Sequence, residues 1–213
     1  MEERNHENGT VKACRCCGWG PFVVGLVVAL ILGWSVLPGL MVKEIKQPIE
    51  FSHAVHVNDQ GQDCASCHFL RADGTFSGAP TTAQCAECHF DLLGEDPREA
   101  RFISDYVNTG KEIKNAWLVY QKQPDNVFFS HSVHSAENCG KCHSEFAGSP
   151  RELCKLCHLD VAGTDTPPVY KENRLSGYSV NTMKMPGCEE CHANAKHLAP
   201  ETRASNACFV CHK

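Results

Sequence analysis

The chain has 213 residues, with 20 Lys and Arg against 25 Asp and Glu, so its formal net charge is −5 at pH 7. A net-acidic chain of this kind lacks the basic surface that nucleic acids and anionic lipids attract. It also contains 15 cysteines, and their spacing is the most informative feature of the sequence.

The first predicted element is an apolar helix near the N-terminus. The stretch from Cys16 to Val42 carries no charged residue and is long enough for the roughly 20 residues that span a ~30 Å hydrocarbon layer. A cleaved signal peptide is the competing interpretation, but no small-x-small cleavage site follows the apolar run. We therefore expect a short segment over residues 1–20, an uncleaved transmembrane anchor over 21–42 and one domain over 43–213.

All twelve cysteines beyond residue 60 fall inside six Cys-x-x-Cys-His pentapeptides. This pentapeptide is the attachment signature of c-type haem, in which two thiols bind one porphyrin and the adjacent histidine binds its iron. A single copy could be a redox dithiol or half of a zinc site, whereas six copies favour haem. The predicted attachment residues are Cys64, Cys67, Cys85, Cys88, Cys139, Cys142, Cys154, Cys157, Cys188, Cys191, Cys208 and Cys211, and the predicted proximal ligands are His68, His89, His143, His158, His192 and His212.

Six covalently bound haem c groups leave little chain for each. The 171 residues from Lys43 to Lys213 cannot wrap every macrocycle in its own apolar pocket, so the haems must pack on one another and form most of the core. We expect short helices around each pentapeptide, irregular connections and almost no sheet. The predicted fold is therefore mostly α-helix and irregular coil, a multihaem cytochrome c with a haem-dominated core and one N-terminal transmembrane helix.

Haem attachment also indicates the orientation of the anchor. Haem is attached covalently on the outer face of the bacterial cytoplasmic membrane, so we expect the haem domain in the periplasm and the N-terminus in the cytoplasm. The Lys and Arg residues that flank the span add only a weak positive-inside bias. Cys14, Cys16 and Cys17 would then be reduced thiols at the cytoplasmic surface, with a metal site shared with a partner as the alternative.

A repeated head precedes two pairs of pentapeptides. The sequence Ile49-Glu-Phe-Ser-His-Ala-Val-His56 recurs as Val127-Phe-Phe-Ser-His-Ser-Val-His134. The two modules cover about residues 48–91 and 124–160, and a third, from about residue 183, has two pentapeptides but no head. One continuous haem-cored domain is favoured over three separate ones.

Histidines outside the pentapeptides are the predicted distal iron ligands. The two in each head are three residues apart on one helical turn, so they can reach two different porphyrins. For the sixth iron we favour Met185, because a thioether is a competent axial ligand that raises the reduction potential. Lysine, solvent or an open position are the alternatives. The predicted distal histidines, five for six irons, are His53, His56, His131, His134 and His197.

The charge beyond Val42 suggests the kind of partner. There are 17 Lys and Arg against 22 Asp and Glu in this region, and haem propionates would add further negative charge. Such a domain favours steered docking of a basic soluble protein, although acidity that only maintains solubility is the alternative.

The heads and pentapeptides together resemble multihaem cytochromes of the class III kind, which pair Phe-x-His-x-x-His with a downstream Cys-x-x-Cys-His. The strings Trp117-Leu-Val-Tyr120, Pro124 to His131 and Met185 to His192 look like the module in membrane-anchored multihaem subunits of alternative complex III. Those subunits usually carry five haems. Six haems and one anchor look most like the cytochrome subunits of Qrc menaquinone reductase complexes of sulfate reducers.

This resemblance implies an electron-transfer subunit rather than an enzyme. It implies electrons received from small, basic periplasmic tetrahaem cytochromes and relayed to a molybdopterin-oxidoreductase-like subunit, an iron–sulfur subunit and a multi-span quinone-binding subunit. A stand-alone membrane-anchored quinol dehydrogenase is one alternative. A haem enzyme acting at an open sixth iron is another, although haem nitrite reductases typically have lysine where all six pentapeptides here have histidine.

Overall fold

The computed structural model describes residues 18–134, 150–198 and 203–212, which divide into two units, Met1–Val42 and Lys43–Lys213. The described part of the first unit is dominated by one helix, α1, Trp19–Leu40. Its 22 residues extend about 33 Å at 1.5 Å per residue, close to the ~30 Å of a hydrocarbon layer. α1 is therefore long and apolar enough to cross a membrane, and it begins and ends two residues before the predicted span.

The second unit consists of short helices joined by irregular chain. Its helices are α2 Cys64–Cys67, α3 Thr82–Ala86, α4 Pro97–Phe102, α5 Pro150–Lys155, α6 Met185–Leu198 and α7 Cys208–Cys211. Wider π-helical turns lie at Val55–Asp59 and Ile103–Val107, and a 3₁₀ turn at Lys114–Ala116. Every pentapeptide in the described residues has a helix within or immediately beside it, which confirms the predicted fold class.

Side-chain caps determine where the helices of the first module begin. Asp63 accepts a hydrogen bond from the Ser66 N–H at 2.7 Å, immediately before α2. Thr81 and Gln84 form a reciprocal capping box at the start of α3. Each cap satisfies backbone donors that a helix end would otherwise leave unpaired, and is typically worth about 1 kcal/mol.

A two-stranded sheet is the only one within the described ranges. β1, Val42–Ile45, pairs with β2, Tyr170–Asn173. An ion pair between Lys171 Nζ and Glu44 Oε1, at 3.1 Å, joins the two strands. The sheet thus ties the start of the second unit to a segment more than a hundred residues later, and its small size agrees with the expectation of almost no sheet.

The protein core of the second unit is small. Phe102, Ile103, Tyr106 and Ile113 form a buried cluster, and Cys85 packs against it. Several large apolar side chains in or next to pentapeptides stay exposed instead, among them Phe90 at 72% and Phe209 at 75%. Few apolar side chains are therefore buried against other side chains. This is expected for a domain in which cofactors form most of the core.

Candidate haem-binding sites

The pentapeptides that the structure describes share one backbone geometry. In four of them the histidine N–H donates to the carbonyl of the first cysteine, at 2.8–2.9 Å. This bond closes one helical turn, so the two thiols, three residues apart, lie on the same side of the helix. The four histidines are His68, His89, His158 and His212; His192 lies inside the longer helix α6.

The second nitrogen of three proximal imidazoles has a backbone hydrogen-bond acceptor. Nδ1 of His68 donates to the Gly78 carbonyl at 2.9 Å, and Nδ1 of His192 and of His212 donates to the Ser205 and Asn126 carbonyls, each at 3.1 Å. A hydrogen bond at Nδ1 selects the tautomer that leaves the Nε2 lone pair for a metal. These three imidazoles therefore have the tautomer that an iron ligand needs.

His89 differs because its acceptor is charged. Its Nδ1 lies 2.7 Å from Glu99 Oε1. Burial alone would raise the pKa of Glu99, but hydrogen bonds from the Leu93 N–H, His89 and the Gly94 N–H outweigh it and hold this pKa below its ordinary value. The carboxylate is thus ionised at neutral pH.

The two heads have the same geometry. Phe51 lies edge-on to His53 and stacks on His56, with ring centroids 4.8 and 4.4 Å away. Phe129 does the same with His131 and His134, at 5.0 and 4.4 Å. The repeat seen in the sequence is therefore also a repeat of side-chain packing.

The same kind of backbone hydrogen bond also orients the second histidine of each head. Nδ1 of His56 donates to the Ser52 carbonyl at 2.7 Å, and Nδ1 of His134 donates to the Ser130 carbonyl at 2.9 Å. In both heads the lone pair of that imidazole is then on Nε2, which is the tautomer that binds a metal through Nε2, as in the pentapeptides.

Three head histidines lie at a defined separation from pentapeptide histidines. The ring centroids of His134 and His192 are 6.2 Å apart with planes inclined by 6°. Two metal–imidazole bonds of about 2 Å plus two ring radii also sum to about 6 Å. The spacing thus fits two ligands on opposite sides of one iron. The other two pairs are His131 with His158 at 6.2 Å and His56 with His89 at 5.9 Å.

Burial favours the neutral form of the first histidine of each head, the form in which an imidazole binds a metal. It lowers the pKa of His53 to about 4, with smaller contributions from His68 and His56. Burial also lowers the pKa of His131, followed by the effects of His158 and His134. His53 Nδ1 is buried and has no hydrogen-bond partner among the described residues.

The cysteine thiols suit uncharged thioether bonds. Burial, followed by Cys67 and Glu112, raises the pKa of Cys85 to about 11. Burial likewise raises the pKa of Cys67 and of Cys188. In the part of the chain that the structure describes, no three His, Cys, Asp or Glu side chains are grouped to hold a metal ion by themselves.

The first and second modules meet at Phe76. Its ring stacks on His131, with centroids 4.0 Å apart, and lies 6.5 Å from the ring of His68. The backbone N–H of Phe128 also donates to the Cys211 carbonyl at 2.6 Å, which brings the last pentapeptide to the second head. The described residues of the three modules therefore form one continuous site.

Some predicted residues are not brought into these pairs. Cys139, Cys142 and His143 lie outside the described residues, as do Cys14, Cys16 and Cys17, and the side chain of His197 is not described. Met185 begins α6 with 59% of its surface exposed. Its role as an iron ligand stays a prediction. The hydrogen-bond acceptors Gly78, Glu99, Asn126 and Ser205 were not anticipated, because no local sequence signal marks a partner 10 to 86 residues away.

Two comparisons with known proteins agree with the resemblance seen in the sequence. Residues 104–212 match the class III cytochrome c family. The whole chain is 58% identical over 216 aligned positions, covering all of both proteins, to "Menaquinone reductase, multiheme cytochrome c subunit" of Nitratidesulfovibrio vulgaris strain Hildenborough. The predicted family and its covalently bound haem c are thereby confirmed.

Proposed function

The chain belongs to the class III cytochrome c family, and from this membership we propose that it is the membrane-anchored electron inlet of a menaquinone reductase complex. The relative that covers its full length is named as the multihaem cytochrome c subunit of such a reductase. In this proposal six haem c groups are bound to the six pentapeptides, and the chain itself performs no bond-making catalysis.

The histidine pairs carry the proposal. A haem iron exchanges single electrons, and an iron with protein ligands on both faces has no position for a substrate. The separations of 5.9–6.2 Å between head and pentapeptide histidines support occupied faces at three irons. This favours conduction over catalysis.

The structure suggests how the ligands are distributed. We assign His56 to the iron of His89, His131 to that of His158 and His134 to that of His192. His53, the remaining head histidine, is assigned to the iron of His68. His197 and Met185 remain for the irons of His143 and His212.

The proposed partners and orientation rest on the family and the charge. The helix α1 anchors the chain, with the haem domain in the periplasm. The excess of acidic residues beyond Val42 suits a small basic multihaem cytochrome as donor. The acceptors are subunits of the same complex, namely a molybdopterin-oxidoreductase-like protein, an iron–sulfur protein and a multi-span quinone-binding protein.

The test is to solubilise native membranes in mild detergent, isolate the chain and identify what accompanies it. We expect six haems per chain, co-purification of iron–sulfur and multi-span subunits, and menaquinone reduction by the assembly when a basic cytochrome is the donor. A chain isolated alone that oxidises quinol would contradict the proposal and favour the stand-alone quinol dehydrogenase.

A further inference from the structure

We propose that Glu99 is a positioning residue for His89 and holds the reduction potential of the haem at Cys85 and Cys88 below the value that a neutral hydrogen-bond acceptor would give it. This inference rests on the proposed function in one respect, that haem is bound at this pentapeptide. Glu99 acts on the iron through the imidazole of His89 and is not itself a ligand.

Glu99 is distinguished by chemistry and by distance. Among the proximal histidines whose Nδ1 contact is described, His89 has a carboxylate as acceptor, at 2.7 Å. The other three, His68, His192 and His212, donate to neutral carbonyl oxygens at 2.9–3.1 Å. Hydrogen bonds to an ionised acceptor are shorter and roughly twice as strong as neutral ones.

The carboxylate is held in this position by the chain around it. Its Oε1 also accepts from the Leu93 N–H at 3.1 Å, and its Oε2 from the Gly94 N–H at 3.3 Å. The side chain is only 11% exposed. These contacts restrict the rotation of the Glu99 side chain. The turn that connects the pentapeptide to α4 therefore helps to fix the distance between Glu99 Oε1 and His89 Nδ1.

The adjacent arginine does not cancel this charge. Arg98 directs its guanidinium to Asp96 at 2.7 Å and to Asp165 at 3.1 Å. The negative charge of Glu99 therefore acts on the imidazole of His89 without compensation by Arg98.

The effect on the iron has a definite sign. A carboxylate that accepts the Nδ1–H of an axial histidine makes the imidazole a more basic ligand. A more basic ligand stabilises the ferric state more than the ferrous state. The equilibrium for adding one electron to this haem is thus shifted toward the oxidised form.

The decisive variant is Glu99→Gln, which keeps the shape and one amide oxygen but removes the charge. Glu112→Gln is the matched comparison, because Glu112 acts electrostatically on Cys85 but accepts from the Thr82 and Lys114 N–H groups rather than from an imidazole. The reduction potentials of the full-length, haem-loaded protein in detergent are measured by spectroelectrochemical titration.

We expect Glu99→Gln to raise one component potential by about 59 mV or more, a tenfold change in a one-electron equilibrium. Glu112→Gln should move the same component less. Unchanged potentials in Glu99→Gln, or an equal shift in both variants, would overturn the inference, because general electrostatics would then account for the effect.

A second measurement does not depend on the variant folding. In the reduced wild-type protein the low-spin irons are diamagnetic, so the Nδ1–H protons of the axial histidines can be observed by nuclear magnetic resonance. One should resonate downfield of the others, as expected for a hydrogen bond to carboxylate, and its absence would refute the role of Glu99. A pyridine haemochrome count below six in the wild type would instead contradict the proposed function.

Discussion

His134 shows how much of a binding site one side chain can define. Its Nδ1 is bonded to the Ser130 carbonyl, its ring stacks on Phe129, and its centroid lies 6.2 Å from that of His192. Three separate contacts therefore determine the position of a single ligand atom, Nε2. Preorganisation of this kind lowers the cost of holding the ligand in the geometry an iron requires.

Replacing His134 by alanine should convert one haem of the full-length protein from low-spin to high-spin. The removed imidazole leaves one face of that iron without a protein ligand, so the reduced variant should bind one carbon monoxide per chain. Absorption and electron paramagnetic resonance spectra measure both changes.

Phe129→Leu is the matched control for this variant. It removes the stacked ring but keeps the imidazole, so its spectrum should stay low-spin. A His134→Ala protein that remains fully low-spin and binds no carbon monoxide would remove this residue from the ligand set.

At the scale of elements, a buried threonine connects the second pentapeptide to the protein core. The Thr82 hydroxyl donates to the Lys111 carbonyl at 2.7 Å and accepts from the Ile113 N–H at 2.8 Å. Ile113 is 1% exposed and belongs to the small apolar cluster. Helix α3, which carries Cys85, is thus held to the core by a side chain within its first turn.

Thr82→Val should lower the free energy of unfolding of the haem-loaded protein by about 1–3 kcal/mol, because a buried donor and acceptor lose their partner. Denaturant unfolding followed by far-ultraviolet circular dichroism measures this. Thr109→Val is the control, since that exposed hydroxyl bonds the Asp105 carbonyl where water can replace it; we expect a change within about 0.5 kcal/mol. Equal effects of the two variants would contradict the role of Thr82.

The features that could be predicted from the sequence involve residues that are close together in the chain. Cysteines three apart and a histidine next to them predict an attachment site within five residues, and a Phe-Ser-His-x-x-His head predicts two ligands within six. The acceptors of the proximal histidines could not be predicted in this way, because Asn126 reaches His212 across 86 positions. Such contacts depend on how the modules pack against one another. The order of residues along the chain does not reveal that packing.

The helices and strands illustrate the same limit. The ends of the apolar helix α1 could be predicted to within two residues, because its apolar run is continuous. The strands β1 and β2 could not be anticipated, since their pairing joins Val42–Ile45 to Tyr170–Asn173 and each is only four residues long. Short edge segments are defined by tertiary contact more than by intrinsic propensity.

For the whole molecule, charge should govern the encounter with a soluble donor. Raising ionic strength from about 0.01 to 0.1 M shortens the screening length from ~30 to ~10 Å, so stopped-flow reduction by a small basic cytochrome should slow markedly. Reduction by an uncharged flavin semiquinone is the control and should change little. Equal salt dependence for both reductants would argue against electrostatic docking.

The two units should also be separable. Replacing residues 1–42 by a cleavable secretion signal should yield a haem-loaded domain that partitions into the aqueous phase of a detergent phase separation, whereas the full-length protein enters the detergent phase. The reason is that the 22-residue helix α1 has no buried residue, so its apolar surface is available to lipid or detergent. A truncated domain that still enters the detergent phase would show a second membrane-binding surface.

The packing of two histidines in each head has a consequence for how thermal fluctuations of the domain would affect electron transfer. His131 and His134 are three residues apart and both contact Phe129, so any displacement of the head would carry the two predicted axial ligands together. The gap between their two irons would then be nearly constant, and with it the hopping rate, which falls steeply with separation. His131 and His68, which lie on either side of Phe76, belong to different modules and are not held by one head. The hopping rate between the two irons of one head would therefore depend less on fluctuations of the domain than the rate between the irons of His68 and His158.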